Sequence, residues 1–130
     1  MVELELQNAV VLSPWGAAPM ASVFIDAGRI AALQETRSQS RIHAHRTIDL
    51  EGAFLAPGFI DVQVNGGGGV LLNDNPSEEG MRHVASVHRQ FGTTKLLPTI
   101  ISDGPEVARR AVEAARRVSV DPSSGIPGLH

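Results

Sequence analysis

The sequence LAPGFIDVQVNG, residues 55–66, decides the fold. A Pro-Gly pair leads into alternating apolar and polar residues, which is the pattern of a β-strand. Gln63 and Asn65 lie two residues apart near the end of this strand, so their side chains project from the same face. Four consecutive glycines follow, at residues 66–69. The segment therefore predicts a strand that carries two amide side chains at its carboxyl end.

Beyond this strand the chain alternates between helical and strand patterns. Helices are predicted to open at Ser77 and at Asp103 and Pro105, and further strands at residues 94–101 and 126–130. The three strand starts, at residues 59, 94 and 126, are 35 and 32 residues apart. A (β/α)8 barrel repeats about every 31 residues. We therefore predict an α/β fold, the β-α-β-α-β start of a (β/α)8 TIM barrel.

Each predicted helix has an apolar stripe that faces the sheet. The stripes are Met81, Val84, Val87 and Phe91 on the first helix, and Val107, Ala108, Ala111, Val112, Ala115 and Val118 on the second. Three strands cannot close a barrel, so we expect the chain to be the N-terminal piece of a longer protein. A complete small open α/β domain is the alternative.

Residues 1–54 have the pattern of short strands joined by turns. Residues 2–6 and 10–12 are predicted strands, and residues 23–33 are a predicted hairpin that turns at Asp26-Ala27-Gly28. The polar residues 34–46 are an expected loop or sheet edge, followed by a strand at 47–50. The predicted domains are therefore residues 1–54 and residues 55–130.

Composition limits the partners and the compartment. The 130 residues include 11 Lys and Arg against 14 Asp and Glu, for a net charge of −3, and no cysteine. Nucleic acids and anionic membranes bind proteins through a concentrated basic surface. This acidic chain has no excess of basic residues, so neither is an expected partner. The N-terminus lacks the basic and apolar regions of a signal peptide, and no window reaches the ~18 apolar residues of a membrane span. A cytoplasmic protein is expected.

Several motifs together resemble the amidohydrolase superfamily and, more closely, the N-acetylglucosamine-6-phosphate deacetylase family. Gln63-Val64-Asn65-Gly66 stands where the superfamily usually has His-x-His, a replacement that some members of this family share. The other matching motifs are Pro57-Gly58-Phe59-Ile60-Asp61, Asn73-Asp74, Gly92-Thr93-Thr94, Leu97-Pro98-Thr99-Ile100-Ile101 and Gly128-Leu129-His130.

The resemblance implies a barrel enzyme flanked by a small β-sandwich that is built partly from N-terminal strands. It implies a hydrolase that converts N-acetylglucosamine 6-phosphate to glucosamine 6-phosphate and acetate, with a divalent metal, often zinc. It also implies a homodimer. The family's metal ligands and catalytic aspartate match positions beyond residue 130, so this chain alone is expected to hold no catalytic residue and no metal, and to be inactive.

Five residues are candidates for the site that the resemblance implies. Gln63, Asn65 and Gly66 are expected to line the substrate pocket. Asp61 and His130 are expected to contact the residues of the site without contacting the substrate. His130 matches a position two residues before the family's metal glutamate. Neutral amides are poorer zinc ligands than imidazole, so we expect one tight metal in the intact protein. The alternative is that the two amides only satisfy backbone groups at the strand end.

Other motifs have simpler interpretations. No Gly-Lys-Ser/Thr follows residues 66–69, so a flexible or tightly packed loop beside the pocket is favoured over a nucleotide-binding loop. His43-x-His45 lies in a polar stretch and is expected in a surface loop. His83 and His88 are about 140° apart on a helix, which does not place both on one metal, and they are interpreted as ordinary helix residues. The arginine pairs at 109–110 and 116–117 are expected on a solvated face.

Two other functions stay open at this stage. One is another amidohydrolase, a hydrolase or a deaminase, although those usually retain His-x-His where Gln63 and Asn65 stand. The other is a non-catalytic α/β binding or assembly module, which would need the chain to form a stable fold by itself.

Overall fold

Alternating apolar residues near the N-terminus form a five-stranded sheet in the computed structural model, which describes residues 1–35 and 42–130. The chain divides into two compact units, Met1–Pro57 and Gly58–His130. Part of the predicted polar stretch, residues 36–41, lies outside the described residues.

The first unit is one mixed sheet. Its strands are β1 (Val2–Ser13), β2 (Gly16–Asp26), β3 (Arg29–Glu35), β4 (Ala44–Asp49) and β5 (Phe54–Leu55). The order is β3-β2-β1-β4, and β5 also pairs with β1. β2 is antiparallel to β1 and to β3, whereas β4 and β5 run parallel to β1. The described residues of this unit supply one layer, so a second layer of the predicted sandwich stays a prediction.

The turns of this unit contain residues with a positive φ. The predicted hairpin is confirmed, because Ala27 and Gly28 join β2 to β3 with φ of 47° and 70°, the pattern of a type I′ turn. The two strands predicted before residue 13 are a single strand, β1. Its pairing shifts register between Leu6 and Ala9, where Asn8 has φ of 57°, and asparagine tolerates this conformation better than most residues.

The second unit is built on two parallel strands with a helix between them. Its elements are β6 (Phe59–Val64), β7 (Gly66–Gly67), β8 (Val70–Leu71), α1 (Glu78–Arg89), β9 (Thr93–Pro98), α2 (Pro105–Ser119) and a 3-10 turn (Pro122–Ser124). β6 pairs with β9, and β7 with β8. Gly58 permits the close approach of the two parallel strands, because an added Cβ would lie 2.1 Å from Thr94 Cγ2. One β-α-β unit followed by a helix is the architecture observed.

Both helices bury one face in a shared core, α1 against the strands and α2 against α1. The buried faces differ from the predicted stripes on each helix. Phe91 is 77% exposed, because α1 ends at Arg89 and helical periodicity does not extend to it. On α2, Ala114 is buried whereas Ala108 and Val112 are exposed. The buried face therefore follows the i, i+3, i+4, i+7 rule from Ala111. The core comprises Val64, Leu72, Met81, Val84, Ala85, Leu96, Ala111, Ala114, Ala115, Val118 and Ile126.

The helix starts agree with the sequence, with one adjustment. The hydroxyl of Ser77 accepts the N–H of Gly80 at 3.0 Å, so Ser77 caps α1 as predicted. Pro105 opens α2, but its cap residue is Gly104 rather than Asp103. The carboxylate of Asp103 accepts the Gly104 N–H at 2.7 Å instead.

The third barrel strand predicted at residues 126–130 is wrong, since this segment has no strand assignment. It nevertheless lies beside β9, because the Leu96 N–H donates to Gly125 O and the His130 N–H donates to Pro98 O, both at 2.9 Å. Pro127 and Pro98 lack the N–H groups that a parallel ladder between those two contacts needs. The backbone chemistry of two prolines therefore interrupts the pairing, and the rest of the barrel stays a prediction.

Both helices are shorter than a membrane span. α1 has 12 residues and α2 has 15, whereas a bilayer span takes about 20 apolar residues. In the part of the chain that the structure describes, no helix is long and apolar enough to cross a membrane.

Candidate functional site

Asn65 lies where the two parallel strands of the second unit end. The Thr99 N–H donates to Val64 O at 2.8 Å, which brings the residue after β9 beside the end of β6. The amide Nδ2 of Asn65 donates to Thr99 O at 3.4 Å. The side chain is half-buried, and its Oδ1 is not used in this contact. Asn65 therefore stands at the carboxyl edge of the sheet, the edge where parallel α/β folds bind ligands.

Gln63 occupies a bulge in β6. Asp61 pairs with Leu96 and Val64 with Pro98, so β6 has one more residue than β9 between these pairs. The bulge removes the Gln63 N–H from the ladder, and Asp61 Oδ1 accepts it at 3.1 Å. The Gln63 side chain is exposed. Gln63 and Asn65 are thus held by different partners, and a shared pocket stays a prediction.

His130 reaches the same edge through its backbone. Its N–H bond to Pro98 O places the residue next to the end of β9, while its side chain is exposed. The structure therefore brings Asn65, Thr99 and His130 to neighbouring backbone positions. Thr99, which is 7% exposed, was not a predicted site residue. Its place in the Leu-Pro-Thr-Ile-Ile motif was the available signal.

The glycine-rich segment forms a tight hairpin that packs on α1. Gly66 pairs with Leu71 and Gly67 with Val70. His88 Nε2 lies 3.1 Å from Gly66 O, and His83 Nε2 lies 3.1 Å from Gly68 O. Carbonyl oxygens only accept, so each Nε2 carries the hydrogen.

These histidines are more than the ordinary helix residues predicted above. Their spacing of five along α1 places each against a different carbonyl of the loop. The sequence contains only a weak signal for this contact, because a histidine on a helix after a glycine-rich loop has many possible partners. Residues 66–69 are therefore a packed loop, and its place beside a substrate pocket stays a prediction.

A second contact ties together two loops at the carboxyl side of the sheet. The Asn73 amide donates to Ile101 O at 2.9 Å and to Asp103 Oδ2 at 3.0 Å, and it accepts the Ile101 N–H at 3.0 Å. The Asn73 hydrogen bond, followed by the Gly104 N–H, lowers the pKa of Asp103. Asn73 thereby fixes the β9–α2 loop to the segment after β8.

The residues present do not by themselves fit a zinc site. Across residues 1–35 and 42–130 no group of three His, Cys, Asp or Glu side chains could hold a metal ion. His43 and His45 are exposed, and His45 lies within strand β4 rather than in the surface loop predicted for the pair. Gln63 and Asn65 offer neutral amides, which compete poorly with imidazole for zinc.

Known proteins are similar to this chain in sequence and in fold. No protein-family model matches the chain. An N-acetylgalactosamine-6-phosphate deacetylase from Shewanella is 37% identical over 123 residues, which are 95% of this chain and 31% of that protein. The human N-acetylglucosamine-6-phosphate deacetylase is 36% identical over 112 residues, 83% of this chain and 27% of its own length.

A solved structure agrees with these relatives. The crystal structure of N-acetylglucosamine-6-phosphate deacetylase from Pasteurella multocida matches with a TM-score of 0.79 and 30% identity, over 88% of this chain and 30% of that one. The chain thus spans about a third of the length of the proteins it matches. It is homologous to the N-terminal portion of the amino-sugar-phosphate deacetylases of the amidohydrolase superfamily.

Proposed function

We propose that this chain is the N-terminal part of a hydrolase that removes the acetyl group from N-acetylglucosamine 6-phosphate, giving glucosamine 6-phosphate and acetate. The observation that carries the proposal is the 36% identity over 83% of the chain to the human N-acetylglucosamine-6-phosphate deacetylase, with which the fold match to the Pasteurella multocida protein of the same name agrees. The position of Asn65 at the carboxyl edge of a β-α-β unit supports it, because (β/α)8 enzymes place their active sites there.

The proposed enzyme is a (β/α)8 barrel of which β6, α1, β9 and α2 form the first part. Ile60 and Val62 of β6 are 67% and 58% exposed, and further barrel elements would cover such apolar residues. Gln63, Asn65 and Gly66 would line the substrate pocket, with Asp61 and His130 supporting it. A divalent metal, zinc in the proposal, would be held by residues further along the full-length protein. The 130-residue chain would be inactive alone.

N-acetylgalactosamine 6-phosphate is the second candidate substrate, because the Shewanella relative is named for it. The two sugars differ only in the configuration at one hydroxyl. We further propose that the full-length protein is a cytoplasmic homodimer. It would bind the amino-sugar phosphate as substrate, and it would bind neither nucleic acid nor membranes.

Acetate release from both sugar phosphates by the full-length protein tests the proposal. We expect release from N-acetylglucosamine 6-phosphate, loss of activity after treatment with a chelator, and recovery with one zinc ion per subunit. A higher kcat/KM for the galacto substrate would favour the second candidate. Absence of acetate from both substrates, with zinc present, would contradict a deacetylase. The chain of residues 1–130 serves as the inactive control.

A further inference from the structure

The loop at residues 66–69 lies on helix α1 with almost no intervening atoms. A Cβ added at Gly67 would lie 2.9 Å from His88 Nε2, and one added at Gly68 would lie 2.7 Å from His83 Nε2 and 2.6 Å from Val87 Cγ2. Such distances are shorter than real Cβ contacts. Glycine at these two positions therefore lets the backbone touch the imidazoles directly.

Hydrogen bonds fix both sides of the peptide that follows Asn65. The Leu72 N–H donates to Asn65 O at 2.9 Å, and His88 Nε2 donates to Gly66 O at 3.1 Å. These two carbonyls belong to consecutive residues, so the orientation of the chain that leaves the strand is held from the hairpin and from the helix. His88 is half-buried, whereas His83, at the farther carbonyl of Gly68, is exposed.

We propose that His88, supported by His83, is a positioning residue that holds the loop at residues 66–69 as a fixed wall of the substrate pocket beside Asn65. This inference rests on the proposed deacetylase function. The two histidines act on substrate only through the loop, since each contacts a loop carbonyl. Loss of the tether leaves Asn65 and Gly66 in the chain but lets the loop sample other orientations, which weakens substrate binding before it affects the chemical step.

The test uses the full-length protein with His88→Leu, which removes the donor, and His88→Gln, whose side-chain amide retains an N–H near the same reach. Hydrogen exchange of the peptides that cover residues 66–72 reports on the loop without any activity. Loss of a single hydrogen bond shifts the equilibrium between the closed and the open loop by about tenfold. His88→Leu is therefore expected to speed exchange about tenfold, while His88→Gln stays close to the wild type.

Kinetics then separate positioning from simple stability. We expect His88→Leu to raise KM by about tenfold with a smaller change in kcat, and His88→Gln to restore KM. His83→Leu should act in the same direction with a smaller effect, and it carries the same test if His88→Leu does not fold. His45→Leu, at an exposed position of β4 in the other unit, is the control.

The outcomes distinguish this inference from the function on which it rests. An active wild type with unchanged KM in both leucine variants, or a glutamine variant as impaired as the leucine variant, overturns the positioning role and leaves the deacetylase standing. A wild type that releases no acetate from either sugar phosphate overturns the function and the pocket role together.

Discussion

The two units use glycine for different physical reasons. Gly28 in the first unit has φ of 70°, and an added Cβ would meet no heavy atom within 4 Å, so the turn needs its backbone conformation. Gly66 in the second unit has no positive φ, but an added Cβ would lie 2.2 Å from Val70 O and 3.1 Å from Leu71 Cα. The turn at Gly28 therefore needs glycine for conformation, whereas Gly66 is needed for space.

Substitution at Gly66 is expected to have the largest effect. The atoms that a new Cβ would meet are backbone atoms of the paired strand β8, which cannot rotate away as a side chain can. Gly66→Ala should lower the free energy of unfolding by about 2–3 kcal/mol, the upper part of the range of about 1–3 kcal/mol for overpacked sites. Urea denaturation of the full-length protein measures it. Gly128→Ala is the matched control, because Gly128 has no positive φ and an added Cβ would come no closer than 3.9 Å, to Leu97 Cδ2; equal losses at the two positions would refute the spatial argument.

Substitution at Gly28 should cost less, since only backbone strain opposes it. Gly28→Ala places an alanine at φ near 70°, which costs roughly 1–2 kcal/mol for an L-residue. Ala27→Asn at the preceding position should have the opposite sign, because Asn-Gly is a preferred type I′ pair. Both variants change this turn only. Gly28→Ala should lower the urea midpoint, and Ala27→Asn should raise it. A midpoint lowered by both would show that the turn is not limited by φ.

The sequence predicted the role of the turn glycine but not that of the closely packed glycines. The turn at residues 26–28 was predictable, because Gly28 adopts a positive φ easily and apolar strand residues flank it. The packing of residues 66–69 on α1 was not, since it depends on His83 and His88, which are 15 and 22 residues distant from their partner carbonyls. Sequence patterns encode local conformation directly, whereas contacts across a fold depend on the register of elements that the pattern leaves open.

The candidate site shows the same limit. Alternation in β6 correctly predicted a strand that ends near Asn65. It did not predict the bulge at Gln63, because a bulge depends on the register with β9, where the pairing advances by two residues while β6 advances by three. Likewise, the apolar character of residues 126–130 suggested a strand. The loss of ladder donors at Pro98 and Pro127 becomes visible only once those residues are neighbours.

Asp61 offers a test of the bulge. Its Oδ1 accepts the Gln63 N–H that the bulge leaves out of the ladder, so Asp61→Ala should cost about 1 kcal/mol, the net value of one hydrogen bond. Asp61→Asn retains an oxygen at the same place and should cost less. Exchange of the Gln63 amide hydrogen measures the contact locally. Equally fast exchange in both variants would show that the carboxyl oxygen does not hold the bulge.

The smallest effect concerns two carboxylates, one in each unit. Asp49 in the first unit is held by the Glu51 N–H and then by the side-chain amides of Asn8 and Gln7, which together lower its pKa. Asp121 in the second unit is held by the Ser123 hydroxyl and then by Arg82, at 2.7 Å, and its pKa falls to about 2. Only Asp121 has a cation among these partners.

Salt should therefore distinguish the two carboxylates. The Debye length shrinks to about 3 Å at 1 M salt, so high salt should raise the pKa of Asp121 and leave that of Asp49 nearly unchanged, as followed by carbon NMR. A folded pKa below the unfolded value of about 3.9 means that each group stabilises the fold above that pH. The Asp121 contribution is lost as pH falls from about 4 to about 2. Ser123→Ala and Arg82→Gln should each raise the pKa of Asp121, because each removes a group that lowers it; an unchanged pKa in Arg82→Gln would show that the ion pair does not contribute.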